Sequence, residues 1–167
     1  MNQKSTMYTL RSVENKLRRI KNKKSILITG TFDILHVGHL HFLQKTKKYG
    51  DVLVVGVSND KYVREIKGSH RPIIPAKQRA EMVAALKPVD FVFVTDGDKK
   101  SAIVKKLKPN VAIFNIYGLD KETVTKRRET VKNLKKVLPK TKFIFLKTGI
   151  KDLSSTTIGK KIAWSTK

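Results

Sequence analysis

Five short apolar runs, rich in β-branched and aromatic residues, punctuate this 167-residue chain, and stretches of helical composition separate them. The runs are SILITG (25–30), DVLVVGVS (51–58), FVFV (91–94), VAIF (111–114) and FIFL (143–146). A strand with one wet face alternates apolar and polar side chains; these runs do not, so they read as strands covered on both faces. Between them, 36–49, 75–86, SAIVKKLK (101–108) and DKETVTKRRETVKNLKKVL (120–138) are helical in pattern, with Gly50 as the expected C-cap of the first and Pro75 opening the second. Strands alternating with helices predict one three-layer α/β/α domain around a five-stranded parallel sheet. Ahead of it, Leu10, Val13, Leu17 and Ile20 recur at helical spacing behind a candidate cap at Ser12. This divides the chain into a short basic amphipathic helical extension, 1–24, and a domain, 25–167. A helix docked on that domain is expected rather than one lying on lipid, because its apolar face is narrow and lacks Trp and Phe.

Charge narrows the partners. Lys and Arg number 37 against 13 Asp and Glu, a formal net charge of +24. Such a field attracts polyanions: nucleic acid, acidic lipid or phosphorylated small molecules. The alternative is a lysine-rich solvated surface, since the basic residues run from Lys4 to Lys167 without forming a block. No cysteine is present, which excludes disulfides and thiolate metal sites and fits a reducing cytoplasm. No apolar run approaches the ~20 residues of a membrane span, and the charged N-terminus has no apolar stretch after it, unlike a secretory signal. A cytoplasmic location is expected.

Three of the four histidines, His36, His39 and His41, fall within GTFDILHVGHLHFL (30–43), and the fourth is His70. This turn leaves the C-terminal end of the first strand, where α/β sheets bind their ligands. A metal site, a phosphate site and chance are the alternatives. Imidazoles three apart can share a metal, but no third ligand is evident and Gly38 would have no use there. His41 is expected to pack or face solvent, and His70 to sit on a loop.

GTFDILHVGH resembles the HxGH signature of the cytidylyltransferase-like nucleotidyltransferases, with His36, Gly38 and His39 at its fixed positions and Thr31, Phe32 and Asp33 in the turn before it. Lys67-Gly68, Gln78-Arg79 after RPIIP, and LSSTTI (153–158) resemble further motifs of that superfamily, in order. The RPIIPAKQRAEMVAALKPVD stretch and the leading helix are similar to the adenylyltransferase part of ADP-heptose synthases. GTFDILH and SSTTI also resemble glycerol-3-phosphate cytidylyltransferase and archaeal FAD synthetase. The resemblance implies a Rossmann-like fold and transfer of an NMP group, AMP slightly before CMP, from an NTP to a phosphorylated small molecule such as a sugar or polyol phosphate, releasing pyrophosphate. It also implies Mg²⁺ accompanying the NTP, and homodimers are frequent in such enzymes.

The transition state of that reaction gathers negative charge, so positioning and electrostatic stabilisation carry it. His36 and His39 share the first face of a helix and can both point at the α-phosphate, beside the partial positive charge of the helix N-terminus. Gly38 leaves the backbone bare for the nucleotide. Thr31 can bond a phosphate from the strand end, with Gly30 and Phe32 shaping the nucleotide side. Lys67 and Arg79 bring full charges, Arg79 with a bidentate fork or, alternatively, paired to a carboxylate such as Asp90. Ser154, Ser155 and Thr156 open the last helix, as phosphate ligands or as a plain cap. Asp33, Lys47 and Asn115 are the candidate substrate contacts, with Asp33 alternatively read as a brace of its tight turn. Around Asn115, AIFNIYGLD departs from the glycine and acidic residue usual there, so base and acceptor specificity do not carry over. No protein nucleophile is called for, in keeping with the missing cysteine and GxSxG elbow; no metal ligand is expected; and without GxxxxGK[ST] this is not a P-loop phosphate site. A binding module for RNA, DNA or acidic lipid is the alternative function; no nucleic-acid recognition pattern supports it, and nucleic acid is not the expected partner.

Overall fold

The structure is a computed structural model that describes residues 7–95 and 100–165. Its strands are β1 (Met7–Tyr8), β2 (Ser25–Gly30), β3 (Val52–Val57), β4 (Phe91–Val94), β5 (Val111–Asn115) and β6 (Lys142–Leu146). The helices are α1 (Leu10–Arg19), α2 (Val37–Lys47), α3 (Asp60–Lys67), α4 (Ala76–Ala84), α5 (Lys100–Leu107), α6 (Lys121–Val137) and α7 (Ser155–Ser165). All strand pairs are parallel, in the order β1-β4-β3-β2-β5-β6.

The doubly apolar runs are explained by how alternate residues divide between two cores. Ile26, Ile28, Leu53, Val55, Val57, Val111 and Ile113 pack beneath α2 and α4. Their neighbours Leu27, Val52, Val54, Ala112 and Phe114 pack beneath α1, α5 and α6. Each face of the sheet is therefore dry, and the three-layer expectation holds.

The sheet has six strands, not five. Met7 and Tyr8 pair with Val92 and Phe93, extending the sheet past β4. Two residues are too few to show a period in sequence. The helix after them is capped by Thr9, which accepts the N–H of Ser12, rather than by Ser12 itself. Leu10 and Val13 are buried in the core shared with α5 and β4, so residues 7–20 pack within the same domain.

Two other local expectations change. α2 ends at Lys47, and Gly50 is not its αL cap: a Cβ there would stand 2.6 Å from the Lys24 carbonyl, so the glycine permits a close chain crossing. α3 was not foreseen. Asn59 caps it by accepting the Tyr62 N–H, and it carries Lys67 at its end.

The strand order reverses at β2, which has β3 on one side and β5 on the other. The crevice at the C-terminal ends of β2 and β5 is the switch point where such sheets bind ligands. It holds the β2–α2 turn, the end of β5, and the start of α7.

Candidate active site

The turn after β2 is built to present two imidazoles. Phe32 and Ile34 both have left-handed backbones (φ 54° and 47°), uncommon for non-glycine residues. Phe32 is held by burial, its ring lying over Gly30, where a Cβ would approach to 2.8 Å. His36 then caps α2. Its Nδ1 accepts the Gly38 N–H at 3.1 Å, and the Nδ1 of His39 accepts the His36 N–H at 3.3 Å. This is a capping box made from two histidines. Gly38 is needed for it, since a Cβ would stand 2.9 Å from the His36 ring.

The box has a chemical consequence. With both Nδ1 atoms accepting, each neutral ring carries its proton on Nε2. Two Nε2–H donors remain for a ligand, on rings whose centroids are 4.0 Å apart. Burial pushes the pKa of His36 down. Burial, then the neighbouring His36 and Lys67 charges, push that of His39 down to about 4, against an opposing pull from Asp33. At neutral pH the pair are uncharged donors, oriented but not repelling one another.

Asp33 braces the turn. Burial alone would raise its pKa, but the Ile74 N–H, the Arg71 guanidinium and the Ile73 N–H outweigh that and hold it below the usual carboxylate range. Arg71 bridges further: Nη1 donates to Asp33 at 2.7 Å and Nη2 to the Ser155 carbonyl at 3.0 Å. One side chain thus ties the β2 turn, the 68–74 loop and the start of α7. At α7, Ser154 and Thr157 cap each other reciprocally, each hydroxyl accepting the other's N–H. Ser154 is committed to that cap, while Ser155 and Thr156 line the pocket at the helix N-terminus. Lys67 lines it from α3. Desolvation, then the charges of Arg71 and Arg79, lower its pKa, with Asp33 opposing.

The pocket these residues enclose has a volume of about 590 Å³ and includes His36, Gly38, His39, Lys67, Asn115, Ser154, Ser155 and Thr156. A model of the cytidylyltransferase-like family matches residues 27–161, most of the chain. The chain belongs to the cytidylyltransferase-like family. Among its relatives are the bifunctional protein HldE of Campylobacter fetus, 45% identical over 103 residues (61% of this chain, 22% of the relative), and that of Helicobacter pylori, 38% identical over 113 residues (68% and 24%). The chain therefore spans about a quarter or less of the length of these curated relatives. Among solved structures, a lipopolysaccharide core biosynthesis protein from Thermoplasma volcanium superimposes with a TM-score of 0.62 at 27% identity, covering 77% of this chain and all of that one. A pantoate-beta-alanine ligase from Francisella tularensis shares the fold alone, with a TM-score of 0.63 at 17% identity over 93% of this chain and 73% of that one.

Within this cytidylyltransferase-like site, three expected contacts are engaged with partners in the scaffold. Arg79 is 1% exposed, and its guanidinium donates to the carbonyls of Ile74, Thr31 and Ser58 and to Asp60. It does not reach the pocket as a phosphate ligand; it fastens the loops after β2 and β3, and its carboxylate partner is Asp60 rather than Asp90. Lys47 lies at the other end of α2, about 16 Å along the helix from His36, where it pairs with Asp90 and with the Asp51 carbonyl at the start of β3. It is too distant for a substrate contact. Asn115 lines the pocket, but its amide is spent on Thr148 O, Thr148 N and Tyr117 N, which clasp the loops after β5 and β6.

Sequence reasoning passed over the far wall: Tyr117, Gly118, Gly149, Ile150 and Asp152. Tyr117 packs so closely on Gly149 that a Cβ there would fall 1.9 Å from its ring. Two residues 32 apart in sequence carry no local signal of such a contact. Gly118, at φ 69°, shows only as a glycine in a loop. Among the described residues, no three His, Cys, Asp or Glu side chains gather as metal ligands.

Proposed function

We propose that this protein is a nucleotidyltransferase: a phosphate oxygen of a phosphorylated small molecule attacks the α-phosphorus of an NTP, a P–O bond forms, and pyrophosphate leaves. The observation that carries it is the double-histidine cap, which commits both Nδ1 atoms to backbone and leaves two Nε2–H donors on rings that line one pocket with Lys67 and the N-terminal residues of α7. Donors of this kind act where charge develops between attacking and leaving oxygens, and they need no reorganisation as the reaction proceeds. The α7 N–H groups and the Ser155 and Thr156 hydroxyls would hold the outer phosphates. Lys67 would neutralise charge on the bridging oxygen.

The acceptor is read as a sugar or polyol phosphate and the transferred group as AMP before CMP, supported by likeness to the HldE proteins and by the Thermoplasma lipopolysaccharide core biosynthesis protein. Magnesium would arrive on the triphosphate, which supplies most of its oxygen ligands. The donor set fits that role and not a resident metal, because Asp33 is consumed by Arg71 and two N–H groups, leaving Asp152 as the pocket's own carboxylate. The ion's contribution when bound is charge neutralisation on the leaving pyrophosphate. The same reading places the enzyme in the cytoplasm, where nucleoside triphosphates are made, and allows a homodimer. No helix among the described residues is long and apolar enough to cross a membrane.

The test is pyrophosphate release from each of ATP, CTP, GTP and UTP against a panel of sugar and polyol phosphates. Turnover with ATP and a sugar phosphate is the expected result. No turnover with any pair, or full turnover after His39→Ala, overturns the proposal.

A further inference from the structure

A second cavity lies away from the nucleotide pocket. A groove of about 910 Å³ opens at the opposite end of the sheet, between the C-terminal ends of α1 and α5 and the segment that enters β2. Six cationic side chains line it: Arg18 from α1, Lys23 and Lys24 from the segment before β2, and Lys105, Lys106 and Lys108 from the end of α5. The basic residues look dispersed along the sequence; tertiary structure gathers these six from stretches more than 80 residues apart.

A groove bordered by helix C-termini attracts lysines to offset the macrodipole, so the bland explanation must be sized. Two helix ends contribute about half a negative charge each. One carboxylate, Glu14, also lines the groove, and it is paired to Arg18 at 2.7 Å. Six cations less one carboxylate and the two helix ends leave roughly four positive charges. The ammonium groups of the five lysines have no hydrogen-bond or ion-pair partner among the described residues, and all five residues are exposed. That excess is far more than helix capping needs.

The shape and lining select among anions. Among the described residues, none of the large apolar side chains that stand exposed lines the groove, which leaves it little to insert into a bilayer, and a concave surface fits a flat one poorly. Among the described residues no aromatic side chain lines it either, so they offer no platform on which a base could stack. What remains is a charged channel suited to a chain of phosphates.

We propose that this groove binds the phosphodiester backbone of a nucleic acid, by charge and without reading sequence. It is a second function, independent of the transfer reaction and held at the far end of the sheet from His36 and His39. The five lysines act as phosphate contacts, and binding releases counterions.

The test is fluorescence anisotropy of the full chain with a labelled homopolymeric RNA and a DNA of the same length, titrated between about 50 and 200 mM salt. Three variants complete it: one with Lys23, Lys24, Lys105, Lys106 and Lys108 changed to Gln; a charge-matched one with Lys45, Lys48, Lys61, Lys77 and Lys87 changed to Gln; and His39→Asn. At about 0.7 counterions per single-stranded phosphate, the groove variant should lower the log–log salt slope by about 3 to 4, so the unaltered protein loses roughly 100-fold more affinity across that range. The charge-matched and His39→Asn variants should keep the original slope, and the groove variant should keep its pyrophosphate release. Equal affinity for RNA and DNA supports a backbone contact, and a preference for one identifies the source. The proposal is overturned if neither polymer binds, or if the charge-matched variant weakens binding as much as the groove variant. Stronger capture by anionic phospholipid vesicles through the same lysines also overturns it.

Discussion

His39 does two jobs through two nitrogens, and substitution can separate them. In His39→Asn the side-chain carbonyl stands near the place of Nδ1 and can still accept the His36 N–H, while the outer donor is lost. Turnover should fall on the order of 10²-fold with little change in melting temperature, as removal of a single donor to a developing oxyanion does. His39→Ala should lose both. Steady-state kinetics beside thermal denaturation separates the outcomes. Protonation gives a second handle. The folded pKa is about 4, below the ordinary 6.5, so between those values the unfolded chain binds the proton and the folded chain does not. Stability is therefore full above pH 6.5 and is lost as pH falls toward 4. His39→Asn should flatten the pH dependence of the melting temperature in that window. Asp33 contributes an acid loss of its own at lower pH, because its pKa is depressed below 3.8. The histidine pair was legible as GTFDILHVGH, since cap, spacing and glycine are all local. The use of Nδ1 was not, because ring rotamers are settled by what packs around them.

At the scale of elements, the pocket is a junction of loops held by a few guanidinium groups. Arg71 joins the β2 turn to α7, with its side chain 17% and its Asp33 partner's 2% exposed. Arg71→Ala would leave a buried carboxylate unpaired, at a cost of about 3 kcal/mol. Because it also frees α7, KM for the nucleotide should rise more than kcat falls. Arg71→Lys should recover some stability and less of KM, because an ammonium cannot fork between Asp33 and the Ser155 carbonyl. A double-mutant cycle with Asp33→Asn checks that the two act together. On the far wall, Gly149→Ala would drive a methyl group into the Tyr117 ring and displace it. Nucleotide affinity by calorimetry should drop, and Tyr117→Ala in the same chain should relieve the clash without restoring the wall. Apart from β1 and α3, the helices and strands here were readable from period and punctuation. These ties were not, since Arg71, Asp33 and Ser155 meet only after the sheet has formed.

At the scale of the whole molecule, one sheet carries different work at its two ends; β1 is part of that sheet and α1 packs against it. Leu10 and Val13 are buried against α5 and β4, each contributing about 1.5–3 kcal/mol by leaving water. Deleting residues 1–24 should lower stability by about 3 kcal/mol or more, seen as an earlier denaturant midpoint. An unchanged midpoint would mean that this segment is an appendage. By itself the sequence determined the dry parallel sheet, the helices over both faces, and the double-histidine turn at a strand end. Apolar periodicity, caps and motif spacing act over a few residues and survive without knowledge of contacts. Only the tertiary structure decided that Arg79 and Lys47 brace the scaffold, that Tyr117 and Gly149 close the site, and that scattered lysines converge at the other end. A cation's role depends on which oxygen lies within about 3 Å of it, and that distance is set by the packing of elements far apart in the chain.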